Sequence, residues 1–144
     1  MTTVADAEKL ILAQMPRYPA RHEPLSACAG RVFAEDVAAE RDQPPFDRVT
    51  MDGVAIAYRD WAEGLRVFEL AGTQAAGAAP LALTARRQCI EVMTGTPLPT
   101  GADTVVPVEL TSRDGVTIHI EADAPVRDRQ FVHKRGSDRP AGSV

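Results

Sequence analysis

Hydrophobic side chains near the start of the chain recur every three or four residues, a spacing typical of an amphipathic helix. Leu10, Ile11 and Met15 follow this spacing, and Pro16 cannot continue a helix because its ring removes a backbone donor. The pattern predicts a helix over residues 4–15.

The rest of the chain alternates apolar and polar positions in short runs separated by turn residues, which is typical of β-strands. One or two helical turns are predicted over 24–30, ended by Gly30. Ten glycines and eleven prolines also favour short strands over a helical bundle. Strands are predicted over 31–39, 54–58, 65–71, 88–93, 104–109, 116–120 and 131–132, with turns or loops over 60–64, 72–80 and 111–115.

Composition and charge narrow the classes of function. The net charge is −4 and no long run of Lys or Arg occurs, so a basic nucleic-acid surface is not expected. No stretch approaches the roughly 20 apolar residues of a membrane span, and the start has no secretory pattern. The two cysteines, Cys28 and Cys89, have no metal-ligand spacing and are expected to be reduced thiols. We therefore expect a cytoplasmic protein with no nucleic-acid or membrane partner.

Residues 44–55 form a stiff loop that leads into a strand. Pro44 and Pro45 fix the backbone, and two carboxylates, Asp47 and Asp52, follow. Gly53 permits an unusual φ or a close approach to the backbone. The sequence thus places Asp52 at the mouth of a strand.

Two further segments have the same character. Residues 93–106 carry the hydroxyls of Thr94 and Thr96 on a loop stiffened by prolines, and residues 133–138 carry Lys134, Arg135 and Asp138. A turn role is the simpler interpretation of any single aspartate. Together, however, carboxylate, hydroxyl and backbone amide groups could hold a hard cation or an oxyanion.

Three motifs within these segments carry a family resemblance: PPFDRVTMDGVAI, VMTGTPLPTGADTVVPVE and VHKRGSDRPAG. They resemble the N-terminal region, domains I and II, of the MoeA-type molybdopterin molybdenumtransferases. This molybdenum insertase family includes the E domain of gephyrin. The resemblance implies an α+β, mostly β fold with an N-terminal helix, an irregular mixed β-sheet subdomain and a compact β subdomain.

The resemblance also implies a reaction, the insertion of molybdate into adenylated molybdopterin with release of AMP and dependence on Mg²⁺. Asp52 and Asp138 would be catalytic and would position the metal, molybdate or water. Thr94, Thr96, Lys134 and Arg135 would bind the substrate or an oxyanion. Two departures stand out: Arg48-Val49-Thr50 replaces the usual Asn-Ser-Ala, and Ser137 replaces an acid.

The domain arrangement follows from the same resemblance. Subdomain I would consist of residues 1–42, the N-terminal helix and linking segment, together with residues 134–144. Residues 43–133 would form the β subdomain II. The family's catalytic α/β domain is not contained in these residues, so the 144-residue chain alone is expected to be inactive.

The resemblance further implies a homodimer whose active sites lie between subunits. Molybdopterin adenylyltransferase and molybdoenzymes are possible further partners. Two alternatives stay open: a non-catalytic dimerisation or interaction module of the same fold, and a small stand-alone protein that binds an oxyanion or a metal.

Overall fold

The structure, a computed structural model, describes residues 2–144, which form two compact units. The first unit ends at Val37 and contains helix α1 (Val4–Gln14) and one 3₁₀ turn (Leu25–Ala27). Thr3 caps α1 reciprocally with Asp6, which satisfies the first free amides of the helix. The helix predicted over 4–15 and the turn predicted over 24–30 are both confirmed.

The first unit buries very little apolar surface. No residue of α1 is buried, and the hydrophobic side chains that its spacing brings together face solvent. The strand predicted over 31–39 is wrong, since this segment pairs with no other strand of the described chain. Val32 and Phe33 are 93% and 82% exposed, so the alternation there creates no buried face.

The second unit, Ala38–Val144, contains the β-structure and one short helix. Its elements are β1 (Arg48–Val49), β2 (Gly53–Ile56), α2 (Tyr58–Ala62), β3 (Val67–Gln74), β4 (Gln88–Val92), β5 (Thr104–Pro107), a 3₁₀ turn (Val108–Leu110), β6 (Thr111–Asp114), β7 (Thr117–Ile120) and β8 (Val132–His133). Six strands form one sheet in the order β5-β2-β4-β3-β7-β6. Strands β3 and β4 pair in parallel and the other pairs are antiparallel, which confirms the predicted mixed, mostly β class.

Strand β2 lies between β5 and β4 and is buried along its whole length. Because side chains alternate across a strand, Val54 and Ile56 enter one hydrophobic cluster with Phe68, while Ala55 enters a second with Val105. The unusual φ considered for Gly53 is wrong, because its φ lies outside the left-handed region. The close approach is confirmed: a Cβ on Gly53 would lie 1.9 Å from the Val106 carbonyl oxygen.

Three predicted turns or loops contain regular structure. Helix α2 occupies most of the turn predicted over 60–64, and β6 occupies 111–114, so the hairpin turn narrows to Gly115 and Val116. Strand β3 extends into the predicted loop as far as Gln74, whose buried side-chain oxygen accepts a 2.6 Å hydrogen bond from the Leu81 N–H. The small residues of this loop thus cover a buried polar side chain.

The two cysteines are free. Burial raises the pKa of the Cys89 thiol to about 12, while Cys28 is half-buried. Within residues 2–144, no helix combines the length and the apolar character that crossing a bilayer requires.

The predicted division into 1–42 with 134–144 and 43–133 stays a prediction, and Met1 lies outside the described residues. Within the second unit, the end of the chain contacts the segment before β1. The Ala39 N–H donates to the Ser143 carbonyl, and the Gln43 N–H donates to the Arg139 carbonyl, both at 2.8 Å.

A buried carboxylate, Asp60, joins α2 to the turn before β4. It is 1% exposed and accepts 3.0 Å hydrogen bonds from Arg86 Nε and from the Arg87 N–H. Arg86 also contacts Glu63. Burial raises the pKa of Asp60, but the hydrogen bonds from Arg87 and Arg86 and the nearby arginine charges lower it further, so the net pKa is below the ordinary value.

We expect Asp60→Asn to lower the free energy of unfolding at pH 7 by about 1–3 kcal/mol, since Arg86 loses its buried charged partner. A carboxyl whose pKa is lowered by folding stabilises the protein above its unfolded pKa, near 3.8, and loses this effect as the pH falls through the folded value. Urea unfolding at pH 7, 5 and 3 should show the difference between wild type and variant shrinking only below about pH 4.

Exposed Asp128 offers the matched control, and Asp128→Asn should stay within about 0.5 kcal/mol of wild type. A wild-type advantage over Asp60→Asn that is the same at pH 3 as at pH 7 would contradict the role of the Asp60 charge.

Candidate functional site

Strand β1 lies between the threonine loop and the end of the chain. On one side, the Gly95 N–H donates to the Val49 carbonyl at 2.8 Å, and the Val49 N–H donates to the Thr96 carbonyl at 2.9 Å. The Leu98 N–H donates to the Asp47 carbonyl at 2.8 Å. These backbone bonds fix the threonine loop against the proline-rich segment.

The other side of β1 pairs with β8. Arg48 lies opposite His133 and Val49 opposite Val132, and the Thr50 N–H donates to the Phe131 carbonyl at 3.0 Å. The three motifs singled out in the sequence therefore meet around one short strand.

Asp52 and Thr94, both predicted site residues, are in direct contact. The Thr94 N–H and the Thr94 hydroxyl donate to Asp52 Oδ1 at 2.6 and 2.8 Å. These two bonds, the backbone one first, lower the pKa of Asp52 below its ordinary value. Asp52 is exposed, so an ionised carboxylate is held in a fixed orientation at the surface.

Asp52 lines a groove of about 250 Å³ together with residues of the sheet. Val108 and Ile118 contribute apolar surface to it. Glu91 and Arg113 also line it, with Arg113 Nη1 3.8 Å from Glu91 Oε2. Asp52 would therefore be among the residues that contact a molecule in this groove.

Asp138 is paired with a histidine of β8. His133 Nε2 lies 2.6 Å from Asp138 Oδ1, and the Asp138 N–H donates to the Gln43 carbonyl at 2.9 Å. The structure thus places Asp138 on the β8 side of β1, and Asp52 and Thr94 at the threonine loop.

Arg135 is bound by two carboxylates of its own chain. Its Nε donates to Asp42 Oδ2 at 2.6 Å and its N–H donates to Asp47 Oδ1 at 2.8 Å. Hydrogen bonds from the Ala141 N–H and from Arg135 lower the pKa of Asp42. Lys134 is exposed and makes no ion pair within the described residues.

Thr96 is fully buried, and its hydroxyl donates to the Met93 carbonyl at 2.7 Å. This contact closes the threonine loop on itself. The predicted role of Thr96 in oxyanion binding stays a prediction, as do the catalytic and binding roles of the other site residues.

The sequence interpretation missed the supporting partners, Asp42 and His133. Asp42 is 93 residues from Arg135 in sequence, and no local pattern links the two. His133 gave a better indication, since a histidine five residues before an aspartate on a turn can reach it. Within residues 2–144, no three His, Cys, Asp or Glu side chains group as metal ligands.

Comparison with known proteins assigns the family. The sequence profile of the MoeA N-terminal region (domain I and II) matches residues 2–144. The chain belongs to this MoeA family. The resemblance found in the three motifs is thereby confirmed.

Curated MoeA relatives are longer than this chain. A molybdopterin molybdenumtransferase of Synechocystis is 40% identical over 144 residues, covering 100% of the chain and 37% of the relative. Molybdopterin molybdenumtransferase 1 of Mycobacterium tuberculosis is 32% identical, covering 83% of the chain and 32% of the relative. The chain thus spans about a third of the length of these relatives.

A solved MoeA structure shares the fold. The crystal structure of a molybdopterin biosynthesis MoeA protein from Pyrococcus horikoshii matches with a TM-score of 0.76 and 33% identity, covering 85% of the chain and 33% of that protein. The predicted fold class is confirmed at this level as well.

Proposed function

We propose that this chain is the N-terminal part of a molybdopterin molybdenumtransferase and supplies one wall of its active site. The reaction is the insertion of molybdate into adenylated molybdopterin with release of AMP. The observation that carries the proposal is the convergence of three motifs on β1, with the ionised Asp52 carboxylate fixed by Thr94. The relatives are named molybdopterin molybdenumtransferases, which supports the transfer of molybdenum to molybdopterin.

Asp52 is the principal catalytic candidate. Its Oδ1 is occupied by Thr94, and its Oδ2 accepts no hydrogen bond from the described residues and is free for a ligand. A carboxylate fixed in this way orients water or a metal without losing conformational entropy on binding. Thr94 would orient the Asp52 carboxylate through these two hydrogen bonds. For Thr94 to bind an oxyanion directly, its hydroxyl would have to rotate away from Asp52.

Asp138 is the second carboxylate, and His133 fixes its Oδ1. Mg²⁺ typically takes one or two protein carboxylates and completes its shell with water and phosphate oxygens. Asp52 and Asp138 fit this donor chemistry as single ligands. When bound, Mg²⁺ would supply positive charge to the phosphate of the adenylated substrate.

The cationic residues divide into two kinds. Arg135 is engaged by Asp42, so it orders the end of the chain around Asp138. Lys134 is exposed and would offset the negative charge of the substrate.

A cytoplasmic homodimer is part of the proposal. The exposed hydrophobic residues of the first unit, among them Leu10, Ile11 and Phe33, support a role in subunit contact. Molybdopterin adenylyltransferase and molybdoenzymes are proposed as transient partners that deliver the substrate and receive the product.

The test uses the full-length gene product with adenylated molybdopterin, molybdate and Mg²⁺. We expect AMP release that requires all three, because cleavage of the adenylate is proposed to accompany insertion. Omitting molybdate, or chelating Mg²⁺, should reduce the rate to background.

Light scattering on the same sample reports whether the protein is a dimer. A stable dimer that releases no AMP under any of these conditions would contradict the proposed activity and favour the non-catalytic interaction module.

A further inference from the structure

Strand β1 presents Arg48 to solvent beside the candidate site. Val49 is fully buried in the second hydrophobic cluster, and side chains alternate along a strand, so Arg48 and Thr50 point to the opposite face. Directly opposed residues of paired strands share a face, so Arg48 lies on the same face as His133. The backbone of Arg48 also forms an isolated antiparallel β-bridge with Pro97 of the threonine loop.

Arg48 is a half-buried arginine that has no carboxylate within 4 Å of its charged nitrogens among the described residues. The other half-buried arginine, Arg66, donates to three backbone carbonyls and stacks 3.4 Å from the centre of the Trp61 ring. Arg48 makes no ion pair and no side-chain hydrogen bond among residues 2–144. Its guanidinium is therefore free to bind a ligand.

The surroundings of Arg48 favour an anion over a neutral ligand. Asp138 makes no ion pair with Arg48, and its Oδ1 is bound to His133, the residue opposite Arg48. Asp42 accepts from the Arg135 guanidinium, and Asp47 accepts from the Arg135 backbone N–H. Exposed Thr50, two residues along the same face, adds a hydroxyl that can donate.

A planar guanidinium matches two oxygens of a tetrahedral oxyanion, which a lysine ammonium does not. We propose that Arg48, assisted by Thr50, binds a tetrahedral oxyanion group at this face: free molybdate or the phosphate of the adenylate. The proposal rests on the proposed function and assigns a substrate-binding role to a position outside the predicted site residues.

The experiment compares Arg48→Gln and Arg48→Lys with wild type in the full-length gene product. Calorimetry measures the dissociation constants of molybdate and of AMP separately, and AMP release gives kcat and the KM for molybdate. We expect Arg48→Gln to weaken binding of one anion by roughly 10- to 100-fold, the range for losing a charged hydrogen bond. Arg48→Lys should restore only part of it.

The anion whose dissociation constant rises in Arg48→Gln identifies the oxyanion that Arg48 binds. A loss confined to molybdate, with a raised KM for molybdate and a kcat close to wild type, assigns Arg48 to molybdate. A loss confined to AMP assigns it to the phosphate. Arg59→Gln is the matched control, because Arg59 is exposed on α2. Helix α2 follows the last residue of β2, whereas Asp52 precedes the first residue of that strand.

The failure of this inference is distinguishable from failure of the proposed function. Wild type that binds neither anion, or Arg48→Gln that binds both like wild type, overturns the role of Arg48 even if AMP is released. Arg48-dependent binding without any AMP release keeps the oxyanion site and rejects the proposed reaction.

Discussion

Replacing Gly53 with alanine is expected to lower the free energy of unfolding by about 3 kcal/mol or more. The new Cβ would lie 1.9 Å from the Val106 carbonyl oxygen and 3.0 Å from the Pro107 Cα, both of which are backbone atoms. Relief requires the edge strand β5 to move away from β2, the strand with which it pairs in the sheet. Urea unfolding followed by circular dichroism measures the loss.

Gly72→Ala is the matched control, because Gly72 also lies in a strand and its φ is outside the left-handed region. There the new Cβ would meet only the flexible end of the Leu81 side chain, at 3.1 Å. We expect a change below about 1 kcal/mol. Equal losses at Gly53 and Gly72 would show that strand propensity, and not the contact with β5, governs both positions.

Replacing Asp52 with asparagine is expected to reduce AMP release by the full-length gene product about 100-fold or more, the scale of losing a positioned acid–base or orienting group. The side chain is exposed, so the fold should be kept. Asparagine preserves size and one acceptor oxygen but removes the charge. Single-turnover AMP release at saturating molybdate measures the chemical step.

Thr94→Val separates orientation from charge at the same place. It removes the hydroxyl bond to Asp52 and keeps the Thr94 N–H bond, so we expect a smaller loss, of roughly 10-fold. Asp128→Asn controls for a lost surface charge. Wild-type rates in folded Asp52→Asn would eliminate Asp52 as a catalytic group and leave Asp138 as the remaining carboxylate candidate.

Local patterns were sufficient for elements whose stability comes from nearby residues. The helix over Val4–Gln14 follows from its spacing and from Pro16, and the turn predicted over 111–115 contains Gly115, where the hairpin between β6 and β7 turns. Strand β4 was predicted within one residue, and its apolar residues Cys89, Ile90 and Val92 are all buried in the core.

Errors occurred where the partner decides the structure. Residues 31–39 alternate in sequence, but a strand needs a neighbour, and none pairs with them in the described chain. Strand β3 continued past its predicted end because β4 pairs with it as far as Gln74. The composition of residues 72–80 predicted a loop, but residues 72–74 pair with residues 90–92 of β4.

The candidate site shows the same division. The sequence identified Asp52, Thr94 and Asp138 as stiffly held polar residues, and the motifs tied them to one family. It could not pair Asp52 with Thr94, which are 42 residues apart, or Arg135 with Asp42. Such pairs depend on strand register, which only the assembled sheet defines.

The short strand β1 also sets the order of events during protein synthesis. Asp47 meets Arg135 across 88 residues of sequence, so the loop beside β1 cannot be completed until the end of this region has left the ribosome. At translation rates of about 5–20 residues per second, that interval lasts about 4–18 s. During it Val49 has no β8 beside it, so its hydrophobic cluster lacks the contacts of Phe131 and Val132.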